Sequence, residues 1–190
     1  EHGCRGQAMA LRATVYRCEL SLADIDRGVY GDFPLTLARH PSETEERMLV
    51  RLLAFVLFAD PALAFGRGLS TEGEPDLWRR DATGAIDLWI EVGLPEERDI
   101  RKACGRAREV VVLAYGGRKA QGWRSENEAA LARQANLRVI ALTDADLAAL
   151  ATLADRTMRL TATVQEGHIW LATAATTVEI APQRWLPLEG

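Results

Sequence analysis

Lysine is almost missing from this chain: Lys102 and Lys119 stand against twenty-one arginines. With alanine abundant, this reads as genomic base composition, and it makes each lysine a position to look at twice. Cysteine is scarce too. Cys4, Cys18 and Cys104 are odd in number and far apart, so no disulfide framework uses all three and no metal-ligand pair spacing occurs. A reducing cytoplasm is the expected compartment. No apolar run reaches the roughly 18 residues of a membrane span, so no membrane partner is expected. Internal repeats, low-complexity tracts and linkers are absent. So is any excess of positive charge: the net charge is −4 at pH 7, which argues against a broad non-specific nucleic-acid footprint but leaves room for a local basic groove.

What is present is the make-up of a globular domain of ordinary size. The 190 residues are 48% hydrophobic and 26% charged, enough for a substantial core. Residues 1–8 lack an apolar segment and precede Met9. They are expected to be a tag or upstream extension, leaving 9–190 as a single domain.

The most informative feature is a pair of runs, Glu74-Pro75-Asp76-Leu77-Trp78 and Ile86-Asp87-Leu88-Trp89-Ile90-Glu91-Val92, separated by Asp81-Ala82-Thr83-Gly84. Turn residues between two apolar, β-prone runs predict a hairpin, in which Asp76 and Glu91 fall near the same end of the sheet. Two carboxylates held together repel unless a positive charge lies between them, and a hard divalent cation such as Mg²⁺ is the natural candidate. Alternation places Asp87, Trp89 and Glu91 on one strand face, with Ile86, Leu88, Ile90 and Val92 on the other. A central strand is covered on both sides, which favours a polar cleft over a solvated edge. For Asp76 the plain alternative is a turn residue.

Around this hairpin, strands are expected at 11–20, 34–38 and 63–69. A helix is expected over 43–59, with Ser42 as N-cap, Glu45 reaching back in a capping box, and Leu49, Leu52, Leu53 and Val56 on one apolar face. Leu94-Pro95-Glu96-Glu97 opens a second helix, with proline in its first turn and acids at the positive dipole end, running to about Arg108. Residues 109–115 form an apolar, β-branched run typical of a buried strand, ended by Gly116-Gly117. A helix at 125–134, a strand at 139–142 and a helix at 144–154 follow, then a hairpin of 157–165 with 168–172 and an edge strand at 177–181. This order predicts a mixed α/β (α+β) domain with a central sheet.

The strings Leu37-Ala38-Arg39-His40-Pro41-Ser42-Glu43, Glu46-Arg47-Met48, Ile86-Asp87-Leu88-Trp89-Ile90-Glu91 and Ala154-Asp155-Arg156-Thr157-Met158 resemble the YaeQ family, and the likeness runs from Met9 almost to the C-terminus. That family is similar in fold to the PD-(D/E)XK nuclease superfamily. The resemblance implies a restriction endonuclease-like architecture: a central mixed sheet flanked by helices, with extra β-strands at the N- and C-terminal ends. It also implies a site. A helix supplies a glutamate (here Glu46 or Glu43), a strand opens with aspartate after proline (Asp76), and the next strand holds an acid two residues before a lysine (Glu91, with Gly93 in the lysine's place). Some superfamily members supply this charge from the following helix, which makes Lys102 the substitute to consider.

The helical pattern itself sets Lys102 opposite Ile100, Ala103, Cys104 and Ala107, toward solvent, and Arg101 closer to the buried flank. Arginine stabilises phosphate charge but is no general base at neutral pH. Glu46 falls near the apolar face of its helix, where an acid is either a site residue or half of a buried ion pair, whereas Glu45 is explained by capping. His40 and His168 lack a second ligand at metal spacing and are expected to be structural. Gly116-Gly117 before Arg118 and Lys119 reads as a strand-ending turn or an anion loop, and Arg118, Lys119 and Arg124 are candidates to line a phosphate path.

Two functions are expected from this. One is a Mg²⁺- or Mn²⁺-dependent phosphodiesterase acting on DNA or RNA: Asp76 and Glu91 hold the cation, Glu46 completes its shell, and Lys102 or Arg101 faces the scissile phosphate. The cation lowers the pKa of a bound water and neutralises charge in an in-line displacement. The other is a nuclease fold kept as a nucleic-acid or protein interaction module, association with transcription machinery being one form. Gly93 and the negative net charge favour the second. Neither pattern specifies an oligomeric state.

Overall fold

Strict in–out alternation makes the two longest N-terminal elements strands, and long apolar runs make the central ones. The computed structural model describes residues 12–68 and 73–187. The extension expected at 1–8 and the last residue of the strand expected at 63–69 lie outside them. In chain order the elements are β1 (Thr14–Asp24), β2 (Val29–Arg39), α1 (Glu45–Phe58), β3 (Leu63–Phe65), β4 (Leu77–Arg80), β5 (Ile86–Val92), α2 (Glu97–Cys104) and β6 (Ala107–Ala114). Then come α3 (Arg118–Leu131), β7 (Leu137–Ala141), α4 (Asp144–Ala151), β8 (Thr157–Gln165), β9 (His168–Ala172), β10 (Thr177–Ile180) and β11 (Gln183–Leu186).

The fold is mixed α/β, as expected, but it contains two sheets. The six-stranded sheet has the order β11-β7-β6-β5-β4-β3 and is parallel across β5, β6 and β7. The five-stranded sheet has the order β10-β9-β8-β1-β2, with β1 and β8 parallel. The strands expected at the two ends of the chain thus build a sheet of their own. β11, which no sequence pattern announced, pairs with β7 in the central one.

α1 lies between the sheets, which explains why nearly every residue from Met48 to Phe58 is buried instead of one stripe. With α4 beside it, α1 fills a core that joins Leu20 and Leu37 of one sheet to Leu88 and Ile90 of the other. α2 and α3 cover the opposite face of the six-stranded sheet, with Ile100 and Leu131 in the core over Trp89, Val110 and Val112. No helix of the described residues is long and apolar enough to cross a membrane. Cys18 and Cys104 are free thiols, and burial pushes Cys18 up to about 12.

Several element ends differ from expectation for local reasons. Thr44, not Ser42, caps α1, its hydroxyl accepting from the Arg47 N–H at 3.1 Å. Ser42 instead contacts His40 Nδ1 at 2.6 Å, and Glu45 accepts from the Tyr16 hydroxyl at 3.0 Å. A capping box does form at α4, between Thr143 and Asp146. α2 ends at Cys104 because Gly105 caps it, and Ala107 already pairs with Ile86. α3 starts at Arg118 instead of 125. Gly116 and Gly117 take φ of 122° and 56° and launch the helix at once, and a Cβ on Gly117 would lie 2.7 Å from Asp144 Oδ2.

Candidate functional site

The expected hairpin forms. Leu77 sits opposite Ile90 in the β4–β5 pair. Its turn is held by Asp81 Oδ1, which accepts from the N–H groups of Thr83 at 2.8 Å and Ala85 at 3.0 Å. One residue before β4, the Asp76 N–H donates to the Ile90 carbonyl at 3.0 Å, and Asp76 Oδ2 accepts from the Val92 N–H at 2.8 Å. This double tie holds the Asp76 carboxylate beside Glu91. Glu91 Oε1 in turn accepts from Trp89 Nε1 at 2.9 Å. Burial first, and then the Asp76 charge, push Glu91 up to about 8. Near neutral pH the pair therefore holds a proton instead of a second negative charge.

Asp76 Oδ1 accepts from Arg47 Nη2 at 2.7 Å, and Arg47 Nη1 reaches Glu43 Oε1 at 3.1 Å. Burial alone would lower the Arg47 pKa; the Asp76 and Glu43 carboxylates outweigh it and hold it above its ordinary value. Glu43 is itself buried and grips Arg51 at both oxygens, at 2.8 Å each. Arg51 also donates to the Ala38 carbonyl of β2 at 3.0 Å. A continuous polar chain thus runs from the five-stranded sheet through α1 to the hairpin of the other. Tyr115, directly after β6, has its pKa raised first by burial and then by the charges of Glu46, Asp76 and Glu43, with Arg47 acting the other way.

A cavity of about 400 Å³ opens next to Glu91 and Trp89, with Arg98, Lys102 and Arg106 among its lining residues. Lys102 is on the exposed side of α2, as the helical pattern requires, and that side is a wall of the cavity. Arg101 points elsewhere, pairing with Glu97 at 3.1 Å. Glu46 is exposed on α1, whereas Glu43 is buried between two arginines. Among the described residues no three acids, histidines or cysteines are grouped as a metal cage, so Glu46, Asp76 and Glu91 do not form a preassembled trio.

The matching model carries the description YaeQ protein and covers residues 9–182. The chain belongs to the YaeQ family. It is 51% identical over 177 residues to the YaeQ protein of Salmonella typhi, spanning 93% of this chain and 98% of that one. The YaeQ protein of Escherichia coli K12 is 49% identical with the same coverage. The crystal structure of the YaeQ protein of Xanthomonas axonopodis pv. citri superposes with a TM-score of 0.88 at 50% identity, covering 91% of this chain and 98% of that one. The Pseudomonas syringae YaeQ structure gives 0.88 at 36% identity, covering 94% and 98%.

In this YaeQ fold the glycine two residues after Glu91, Gly93, has a backbone cause. Gly93 takes φ of 101° while its N–H donates to the Leu113 carbonyl at 2.8 Å. A side chain there would meet no neighbour; the left-handed backbone is what disfavours one. Arg124, a candidate for a phosphate path, instead lies over Trp185 at 5.0 Å and pairs with Glu128 at 3.1 Å. His40 and His168 bond Ser42 and Glu179. Sequence reasoning missed Arg47, Tyr115 and Arg106. Only Arg47 left a signal, its helical i,i+4 spacing from Glu43.

Proposed function

We propose that this site is a divalent-cation-dependent phosphodiesterase centre acting on nucleic acid, of PD-(D/E)XK type with its lysine displaced to Lys102. One observation carries the reading: Asp76 and Glu91 converge at the end of the hairpin, next to a cavity whose lining includes Arg98, Lys102 and Arg106. Mg²⁺ is commonly held by one or two carboxylates, keeping several waters and taking phosphate oxygens from the substrate, so a pair of carboxylates without a third grouped ligand among the described residues suffices for it. Mn²⁺ would occupy the same place. Bound there, such a cation would supply a water of lowered pKa and neutralise charge on the displaced phosphate.

The chain's own residues do the positioning. Asp76 is fixed by the Val92 N–H and by Arg47, and Glu91 by the Trp89 indole. Loss of the Glu91 proton creates the second anionic ligand. In this reading Lys102, on the cavity wall, would present an ammonium to a phosphate, and Glu46, exposed on α1, would act on the cation only through its waters. The test is cleavage of end-labelled DNA and RNA with Mn²⁺. The wild type is expected to cut, Glu91→Gln to be inactive, and Lys102→Met to be strongly impaired. Equal cutting by Glu91→Gln would refute the assignment.

The Arg47–Asp76 ion pair favours a second reading, a nuclease-shaped interaction module in which Asp76 is already neutralised by arginine. In that case Glu91→Gln leaves binding of the nucleic-acid or protein partner unchanged.

A further inference from the structure

We infer that the cavity beside Glu91 receives a single strand of nucleic acid running along α2, with its bases stacked on arginine planes, in preference to a duplex. Arg98 and Lys102 lie four residues, just over one helical turn, apart on α2, about 6 Å of rise, and Arg106 follows just past the Gly105 cap. All three line the cavity. Their stagger suits successive phosphates of an extended strand.

The third cation is also a platform. The Arg106 guanidinium lies 4.9 Å from the Trp89 ring centroid, and its Nη1 donates to the Gly73 carbonyl at 3.0 Å. One face of the plane is thereby fixed, while the residue as a whole stays exposed. Trp78 stands edge-on to Trp89, with centroids 6.2 Å apart, and carries Arg80 at 4.1 Å. Two guanidinium planes backed by two tryptophans therefore continue the line away from Glu91. Bases stack on such planes as they do on aromatic rings.

The charges along this line are available. Among the described residues no carboxylate lies within 4.0 Å of Arg80, Lys102 or Arg106. Glu74, which also lines the cavity, is taken by Arg67 at 2.6 Å. Arg98 has only exposed partners, Glu96 at 3.3 Å and Asp99 at 3.7 Å, which a phosphate readily replaces. The cavity lining sets Arg98, Lys102 and Arg106 against Glu74, Asp99 and Glu91, and Arg80, over Trp78, adds a fourth cation along the line. A duplex would bring only its phosphates to this wall and leave the stacking planes unused.

The inference rests on the phosphodiesterase reading only for its choice of a phosphodiester as ligand. Its test measures binding alone: fluorescence anisotropy of a labelled oligothymidylate and of a matched duplex, in EDTA, across a salt series. The single strand is expected to bind at least about tenfold tighter than the duplex, and Arg106→Ala to weaken it by about tenfold. Arg106→Lys should keep the salt slope and still lose most of that affinity, because the charge stays and the plane goes. Lys102→Ala should lower the slope by about 0.7. A duplex bound as tightly as the strand, or Arg106→Ala binding like the wild type, would overturn the proposal. Because no bond is cut in EDTA, a failure to cleave leaves this result standing. Mn²⁺-dependent cleavage that persists while strand binding ignores Arg106 would sink this inference alone.

Discussion

The five-stranded sheet buries one face and opens the other, and its residues alternate accordingly: Cys18, Leu20 and Leu22 point in, while Arg17, Glu19 and Ser21 point out. The six-stranded sheet is covered on both faces, and Val110 to Ala114 run through its centre without an exposed residue. An outward acid on the first sheet is solvated and needs no partner. An acid at the heart of the second does: Asp76 has the Val92 N–H and Arg47, and Glu91 has the Trp89 indole and a proton. Two similar sheets thus differ in what a carboxylate costs, and the costly ones mark the site.

Four predictions rank this contrast. The largest effect belongs to Glu91→Gln in a cleavage assay, a loss of at least roughly 10³-fold, on the order of 4 kcal/mol of barrier. An outer-sheet substitution such as Thr161→Val should leave the rate alone.

Next comes Arg51→Met, which leaves the buried Glu43 with Arg47 as its one remaining cation. Denaturant unfolding should show a loss of roughly 3–5 kcal/mol.

Third is the pH dependence of stability. Glu91 sits near 8 in the folded state against an ordinary value of 4.5. The folded protein therefore binds the extra proton between those values, and stability falls as pH rises through that window. Glu91→Gln removes this decline and should be stabilising at pH 8 by on the order of 2 kcal/mol, roughly 4–8 °C in Tm. It would be more stable and inactive, the trade-off of a strained site. A Tm that falls with pH equally in both proteins would show that another group is responsible.

The smallest effect is Arg159→Ala, which breaks an exposed pair with Glu19 at 3.6 Å on the outer sheet. Its Tm should move by no more than about 2 °C.

How much of this was legible depended on how local each signal was. The carboxylate hairpin was readable because its turn, alternation and apolar runs all fall between Glu74 and Val92. The second sheet was not, because β1 finds β8 from the far end of the chain, Arg17 beside Thr157, and no local pattern encodes that pairing. Lys102 was read as solvent-facing, and it is; a helical wheel cannot show that a cavity lies on that side. Gly93 was weighed only through the superfamily resemblance, whereas its left-handed φ is a local backbone feature that the sequence pattern does not announce. Arg47 escaped because its partner Asp76 is brought close only by the packing of α1 against the hairpin. The helix ends misplaced at Arg108 and 125 were marked by Gly105 and by Gly116-Gly117, glycines that act as cap and launch point.

The most direct test of the central claim is calorimetric titration of Mn²⁺ at pH 7 into the wild type and into Glu91→Gln, repeated in buffers of different ionisation enthalpy. The account predicts binding by the wild type with release of a proton, as the cation displaces the one held by the Asp76–Glu91 pair, and loss of that binding in the variant. Equal titrations by the two proteins, or no binding by either, would contradict it.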